Sequence, residues 1–172
     1  DLDREFKTIR QNLDSKCDED YVVSRGEYLC GLLMADYLEC DFVDARDVIL
    51  FNYDGTVNQE RTGKKLTEAL SKTNKAVIPG FYGSYPDAAI KTFSRGGSDI
   101  TGAIVSSIMG ADIFENWTDV SGFLMADPRI VKNPKQIKKI TYEELRELSY
   151  MGASVLHEEA VFPVRQAGIP IN

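Results

Sequence analysis

The chain of 172 residues, 43% hydrophobic and 27% charged, has the size of one domain, able to bury about 70% of the surface its unfolded form exposes. A net charge of −7 argues against nucleic-acid or membrane binding through a broad basic face, and no run has the length of a membrane span or the pattern of a signal peptide. The single histidine excludes a histidine-cluster metal centre, and Cys17, Cys30 and Cys40 lack metal-ligand spacing; they read as free thiols of a cytoplasmic chain, with Cys30 in the core.

In chain order, Leu2, Phe6, Ile9 and Leu13 recur at helical spacing over residues 1–13. A polar break at 14–20 precedes a longer helix over 21–39, with Leu29, Leu32, Leu33 and Tyr37 on one face. Gly26 falls inside that pattern at a cost of about 1 kcal/mol relative to alanine, which implies a close approach there. Val48-Ile49-Leu50-Phe51 reads as a buried strand, 52–63 as a polar loop and 64–72 as a short helix. Ala76-Val77-Ile78 reads as a second strand, ending in Pro79-Gly80-Phe81-Tyr82-Gly83, and 84–91 as a polar loop. A third strand is expected over 112–117, with Trp117 packed, then a turn over 118–122 and a loop over 127–134. Thr141-Tyr142-Glu143-Glu144 is a capping box that opens a helix to Met151. A last helix over 155–167 contains Pro163 as a point of bending. Short apolar strands alternating with helices imply an α/β fold with a largely parallel sheet covered on both faces, and ligands at the carboxyl ends of its strands.

The stretch with most chemistry is Ser94-Arg95-Gly96-Gly97-Ser98-Asp99, which runs into the apolar segment Ile100 to Met109. Paired glycines allow a tight turn and close backbone approach, Ser98 is a suitable N-cap, and Gly110 a suitable stop. A helix N-terminus beside an arginine suits an anion. Taken alone, the same turn also reads as an ordinary glycine-rich helix start, with Asp99 complementing the dipole. It is neither a P-loop nor G-x-G-x-x-G.

The remaining candidates are each open to a plainer reading. Arg95 and Arg129 have the planar fork for carboxylate or phosphate, or are surface arginines. Glu27 accepts bonds from an ammonium group, or is a solvated helix residue. Thr118-Asp119 suits a ribose or nucleotide, or is a turn signal. Phe81 walls a pocket, or is a core aromatic. His157 is read as structural, without a catalytic role.

Together these segments resemble the aspartokinases of the amino-acid kinase family. The resemblance runs through Ser24-Arg25-Gly26-Glu27, Gly80-Phe81-Tyr82-Gly83, Arg95-Gly96-Gly97-Ser98-Asp99 and Trp117-Thr118-Asp119-Val120-Ser121-Gly122. It continues through Ala126-Asp127-Pro128-Arg129-Ile130-Val131, Ile140-Thr141-Tyr142-Glu143-Glu144 and Gly152-Ala153-Ser154-Val155-Leu156-His157. It implies the three-layer α/β/α sandwich with a mostly parallel sheet, and ATP-dependent phosphorylation of the side-chain carboxylate of L-aspartate, toward lysine, threonine and methionine. Carried over motif by motif, Arg95 would clamp a substrate carboxylate and Glu27 the α-ammonium, while Phe81 and Ser98 line the aspartate pocket. Asp99 would organise catalysis near the transferring phosphoryl group and its Mg²⁺, the metal being held through nucleotide phosphates. Gly96, Gly97, Thr118, Asp119, Leu124, Arg129 and Ser154 would belong to the ATP side.

The family pattern is departed from in three ways. The phosphate loop Lys-Phe-Gly-Gly-Thr-Ser, with its lysine, is nowhere in the sequence. Leu124 and Ser154 stand where tyrosine and lysine are frequent. No ACT domains follow Asn172. The expectation is an internal piece of one catalytic domain, inactive by itself, from a homo-oligomeric parent. Alternatives are a related amino-acid or nucleoside-monophosphate kinase of this fold, and a non-catalytic nucleotide- or amino-acid-binding module.

Overall fold

A computed structural model describes residues 2–118, 122–127, 129–150, 156 and 158–172, with the side chains of residues 149 and 158–160 left aside. Asp119, Ser154 and His157 therefore lie outside the described residues. The helical spacings appear as α1 (Leu2–Asp14), α2 (Glu19–Tyr37) and, past the glycine turn, α5 (Gly97–Met109). Near the C-terminus stand α6 (Tyr142–Tyr150) and α7 (Glu158–Gln166), which holds Pro163. Two further helices, α3 (Ala45–Val48) and α4 (Gln59–Leu70), are capped by Asp44 and Asn58, whose side chains accept from the backbone N–H of Arg46 and Arg61.

The strands are short. β1 (Asp41–Phe42) pairs in parallel with β2 (Ala76–Val77), and β3 (Tyr82–Ser84) pairs antiparallel with β4 (Ile90–Thr92). Single parallel bridges join Leu50 to Ser84 and Phe114 to Ile171, and antiparallel ones join Phe51 to Val57 and Leu124 to Gln136. The parallel pairings all link segments far apart in sequence and the antiparallel ones link near neighbours, as crossover connections and hairpins require.

Several expectations change. Val48-Ile49-Leu50-Phe51 is not a regular strand. Val48 closes α3, and the Leu50 N–H is taken by the Thr62 hydroxyl at 3.0 Å instead of by a neighbouring strand. Residues 84–91 are not a loop throughout, since Ser84 ends β3 and Ile90 begins β4. The expected strand over 112–117 is reduced to the Phe114 bridge, and Trp117 is 89% exposed instead of packed. Cys30 is exposed rather than in the core. The face α2 buries is Ser24, Arg25, Gly31 and Ala35, not the one carrying Leu33 and Tyr37. Small residues win there because the neighbours come close: a Cβ on Gly31 would stand 3.1 Å from the Phe42 ring and 3.3 Å from Pro79. Gly26 has open space where a close approach was expected.

The main core gathers Ala45, Val48, Ile49, Phe51, Leu66, Tyr82, Ile90 and Ile104. Ala103, Val164 and Ile169 form a second cluster where α5 packs on α7, and Leu145, Leu156 and Val161 a third. Among the described residues no helix is long and apolar enough to cross a membrane.

Candidate active site

The glycine turn is built by crowding as much as by dihedral freedom. Gly96 takes the left-handed conformation (φ 56°) as the residue before α5, so the cap lies two residues earlier than Ser98, which is exposed in the first helical turn. Gly97 is buried, and a Cβ on it would stand 2.6 Å from the Phe81 Cβ. A Cβ on Gly80 would stand 2.8 Å from the Ser98 Cα. The turn over 80–82 and the start of α5 therefore touch backbone to backbone.

Phe81 itself has φ 63°, a conformation costly for a bulky residue. It is held there by the buried Thr101, whose hydroxyl accepts from the Phe81 N–H at 3.1 Å and donates to the Gly97 carbonyl at 2.7 Å. Glu27, half-buried on α2, accepts from the Gly80 N–H at 3.4 Å. Thus Glu27, Phe81, Gly97 and Ser98 are brought together at one junction of α2, the 80–82 turn and α5. Arg95 is exposed two residues before Gly97, and Asp99 is half-buried in the first turn of α5. An acidic group on α2 and a guanidinium ahead of a helix N-terminus are complementary to the ammonium and carboxylate of an amino acid.

α2 is fastened to the hairpin beneath this junction. Asp20 accepts from the Lys91 ammonium at 3.2 Å and from the Thr92 hydroxyl. Burial pushes its carboxyl up, but the Thr92 and Lys91 hydrogen bonds and the Lys91 charge outweigh it and hold it below the usual range. Asp44 caps α3 and accepts from the Tyr82 hydroxyl at 2.8 Å; burial raises its carboxyl, against the Arg46 and Tyr82 hydrogen bonds and the Arg25 charge. Tyr28, bonded to Glu5 at 3.0 Å, is pushed up to about 12, by burial first and then by Glu5.

A second feature is a cavity of ≈ 810 Å³, a size typical of small-molecule sites. Its wall includes Asn116, Trp117, Thr118, Gly122, Phe123, Lys138, Lys139 and Tyr142. Thr118 thus lies at the wall of this cavity. Leu124 lies outside that lining, bridged to Gln136. Arg129 is exposed and forked onto Asp127, with Nε at 3.0 Å from both carboxylate oxygens and Nη2 at 2.6 Å from Oδ2. That pair holds the Asp127 carboxyl down, through the side-chain hydrogen bond above all. Asp119 and Ser154 are not described. Among the described residues no group of three or more His, Cys, Asp or Glu side chains could hold a metal ion.

Sequence reasoning missed Thr101, read only as part of an apolar helix, and Tyr82, whose place in Gly-Phe-Tyr-Gly-Ser gives no hydropathy signal. It also missed Lys138 and Lys139 at the cavity; only their position after a loop of α/β character offered a hint.

A glycine turn feeding a helix N-terminus, an acidic side chain on a neighbouring helix and a separate ligand-sized cavity mark a ligand-binding type of α/β protein. The model of the amino acid kinase family matches residues 1–172, and the chain belongs to that family. It is 38% identical to aspartokinase 3 of Bacillus subtilis over 161 residues, 89% of this chain and 36% of that protein. It is 33% identical to a bifunctional aspartokinase/homoserine dehydrogenase of Buchnera aphidicola, over 96% of this chain and 22% of that protein. The crystal structure of Clostridium acetobutylicum aspartate kinase superposes with a TM-score of 0.95 at 56% identity, over 100% of this chain and 40% of that one. Escherichia coli aspartokinase III in complex with aspartate and ADP gives a TM-score of 0.85 at 26% identity, over 99% of this chain and 43% of that one. Uridylate kinase of Archaeoglobus fulgidus, at 21% identity and a TM-score of 0.58, shares the fold. The chain thus spans about two fifths or less of the aspartokinases it matches, and its architecture is the three-layer α/β/α sandwich of this family, in part.

Proposed function

We propose that the protein carrying this chain is an aspartate kinase, and that the chain is an internal part of its catalytic domain. The reaction is ATP-dependent phosphorylation of the L-aspartate side-chain carboxylate to 4-phospho-L-aspartate. A carboxylate oxygen of aspartate forms a bond to the γ-phosphorus, the bond to the bridging oxygen breaks, and ADP leaves with the electron pair. The observation that carries this reading is the junction at which Glu27, Gly80, Phe81, Gly97 and Ser98 converge. Glu27 holds the α-ammonium, Arg95 the α-carboxylate, and Phe81 and Ser98 close the pocket around the four-carbon chain. Phosphoryl transfer asks mainly for positioning and electrostatic stabilisation, which a rigid backbone junction supplies.

On the nucleotide side, the amides at the start of α5 and the cavity at Thr118 fit a phosphorylated nucleoside, with Lys138 and Lys139 as cations at its wall. Gly96, Gly97, Thr118, Asp119, Leu124, Arg129 and Ser154 are the proposed ATP side. Arg129 would have to exchange Asp127 for a phosphate. Mg²⁺ would be carried on the nucleotide phosphates with Asp99 nearby, where the ion would supply charge neutralisation at the transferring group. A homo-oligomeric parent in the cytoplasm, acting toward lysine, threonine and methionine, completes the proposal.

The test is a coupled ADP-release assay on the full-length protein with L-aspartate, N-acetyl-L-aspartate and N-acetyl-L-glutamate. Turnover with aspartate alone is expected, because Glu27 needs a free ammonium. Turnover with an acetylated acid but not with aspartate would overturn the assignment. The 172-residue chain by itself, which has no Lys-Phe-Gly-Gly-Thr-Ser segment, is expected to be inactive in the same assay.

A further inference from the structure

Arg25 is 7% exposed, yet no carboxylate lies within ion-pairing distance of it among the described residues. Asp44 feels its charge only from beyond ion-pair distance, and a buried guanidinium without a direct ion pair is costly unless something else receives its charge. Here three tyrosine faces do so. The guanidinium carbon stands 4.7 Å from the Tyr21 ring centre, 4.6 Å from Tyr28 and 5.5 Å from Tyr82. Nε and Nη2 donate to the neighbouring Ser24 hydroxyl at 3.2 and 3.0 Å, and that hydroxyl donates to the Tyr21 carbonyl at 2.8 Å. Tyr82 is fully buried and fixed at its far end by its bond to Asp44.

The placement matters more than the contacts themselves. Arg25 and Glu27 flank Gly26 on α2, and Tyr82 and Gly80 flank Phe81 in the turn. Arg25 meets Tyr82, and Glu27 meets Gly80. The two contacts form parallel rungs on either side of the strained Phe81. One rung belongs to the proposed aspartate pocket; the other is buried.

We propose that Arg25 is a positioning residue for the amino-acid substrate: its guanidinium, clamped among Tyr21, Tyr28 and Tyr82, sets the separation of α2 from the 80–82 turn and so holds Glu27 and Phe81 at the spacing the substrate requires. This rests on the reading of Glu27 and Phe81 as the aspartate pocket. The role needs a flat cation that stacks on several rings at once, which lysine cannot provide.

The experiment uses the full-length enzyme and compares Arg25→Met, Arg25→Lys, Glu27→Gln and the double variant Arg25→Met/Glu27→Gln. Arg25→Met is expected to raise KM for aspartate about 10-fold or more, with KM for ATP within about twofold of the parent, since an error of about 1 Å in a positioned group suffices for such a loss. Arg25→Lys falls between the two. In the double variant Arg25→Met adds less than about twofold to the aspartate KM of Glu27→Gln, because residues acting through one another are not additive. Full additivity, or a loss of melting temperature and active-enzyme yield with aspartate KM unchanged, overturns the proposal. If Glu27→Gln itself leaves aspartate KM unchanged, the pocket reading falls instead. Should Arg25→Met not fold, Tyr82→Leu and Tyr82→Phe take its place. Tyr82→Leu, which loses the ring face, must raise aspartate KM more than Tyr82→Phe, which keeps it; the reverse order refutes the clamp.

Discussion

Replacing Gly97 by alanine tests the junction most directly. The added Cβ would stand 2.6 Å from the Phe81 Cβ, 2.7 Å from the Phe81 Cα and 2.9 Å from the Phe93 Cβ. These obstacles are backbone and side-chain roots, not the free ends of flexible chains, so the turn and α5 must move apart. Overpacking of this kind costs about 1–3 kcal/mol, and the helix propensity of alanine offsets at most about 1 kcal/mol of it. A net destabilisation of roughly 1–2 kcal/mol is expected, together with a higher KM for aspartate, because Phe81 moves with its backbone. Gly26→Ala is the internal control. Nothing lies within 4 Å of its added Cβ, and it sits on the exposed side of α2. Alanine there should stabilise by roughly 0.5–1 kcal/mol. Denaturant midpoints of the full-length protein read both signs, and steady-state kinetics read the substrate effect for Gly97→Ala. If both variants shift stability the same way and by the same amount, the argument from crowding is wrong.

Three further outcomes follow from single contacts. Thr62→Val leaves the buried Leu50 N–H without its acceptor and should cost about 1–3 kcal/mol, while Thr62→Ser keeps most of the stability; equal effects of the two in urea denaturation would count against the hydroxyl. Asp20, with its pKa held below 3.8, contributes its tether fully above that value and loses it as pH falls through the lower folded-state value. Asp20→Asn should therefore lower stability at neutral pH and flatten the acid limb of the stability curve below 3.8, and a limb as steep as that of the parent would remove Asp20 from the tether. Arg95→Ala should reduce kcat/KM for aspartate about 10- to 150-fold, the equivalent of one charge-assisted contact, with Arg95→Lys recovering only part; unchanged values would move the carboxylate clamp elsewhere.

The helices were legible because their apolar positions recur, and the α6 start was legible in full. The Thr141 N–H and hydroxyl meet the Glu144 carboxylate at 2.7 and 3.1 Å, and the Glu144 N–H returns to the Thr141 hydroxyl at 3.2 Å. The β3–β4 hairpin was not legible, because its polar members are buried by bonds that hydropathy does not register. Ser84 is buried with its hydroxyl on the Arg46 carbonyl at 2.6 Å. The inner face of α2 failed for the same reason: it is made of serine, arginine, glycine and alanine, chosen for closeness and for a guanidinium in an aromatic cage. The apolar run at Val48 misled because a capped turn of helix, announced only by Asp44, uses its first residue. In the candidate site, Glu27, Phe81, Gly97 and Ser98 could be named from motifs, but nothing in the sequence says that Thr101 and Tyr82 hold them in place.

The glycines of the 80–83 turn are not there for left-handed backbone. The positive dihedral falls on Phe81, and the glycines on either side are where other segments of the chain press in: a Cβ on Gly83 would stand 2.2 Å from the Ile49 carbonyl oxygen. A left-handed residue other than glycine costs about 1–2 kcal/mol, and here a large aromatic bears that cost although glycine is used at both ends of the same turn. Folding alone would favour the opposite arrangement. The cost is met by the Thr101 hydroxyl and the Gly97 backbone at Phe81 itself and by the Arg25–Tyr82 contact beside it, around the one residue of this turn that has a positive φ. Strain so over-determined and so local fits a residue kept for the pocket proposed around it, since the stability of the turn that carries it would be better served by glycine.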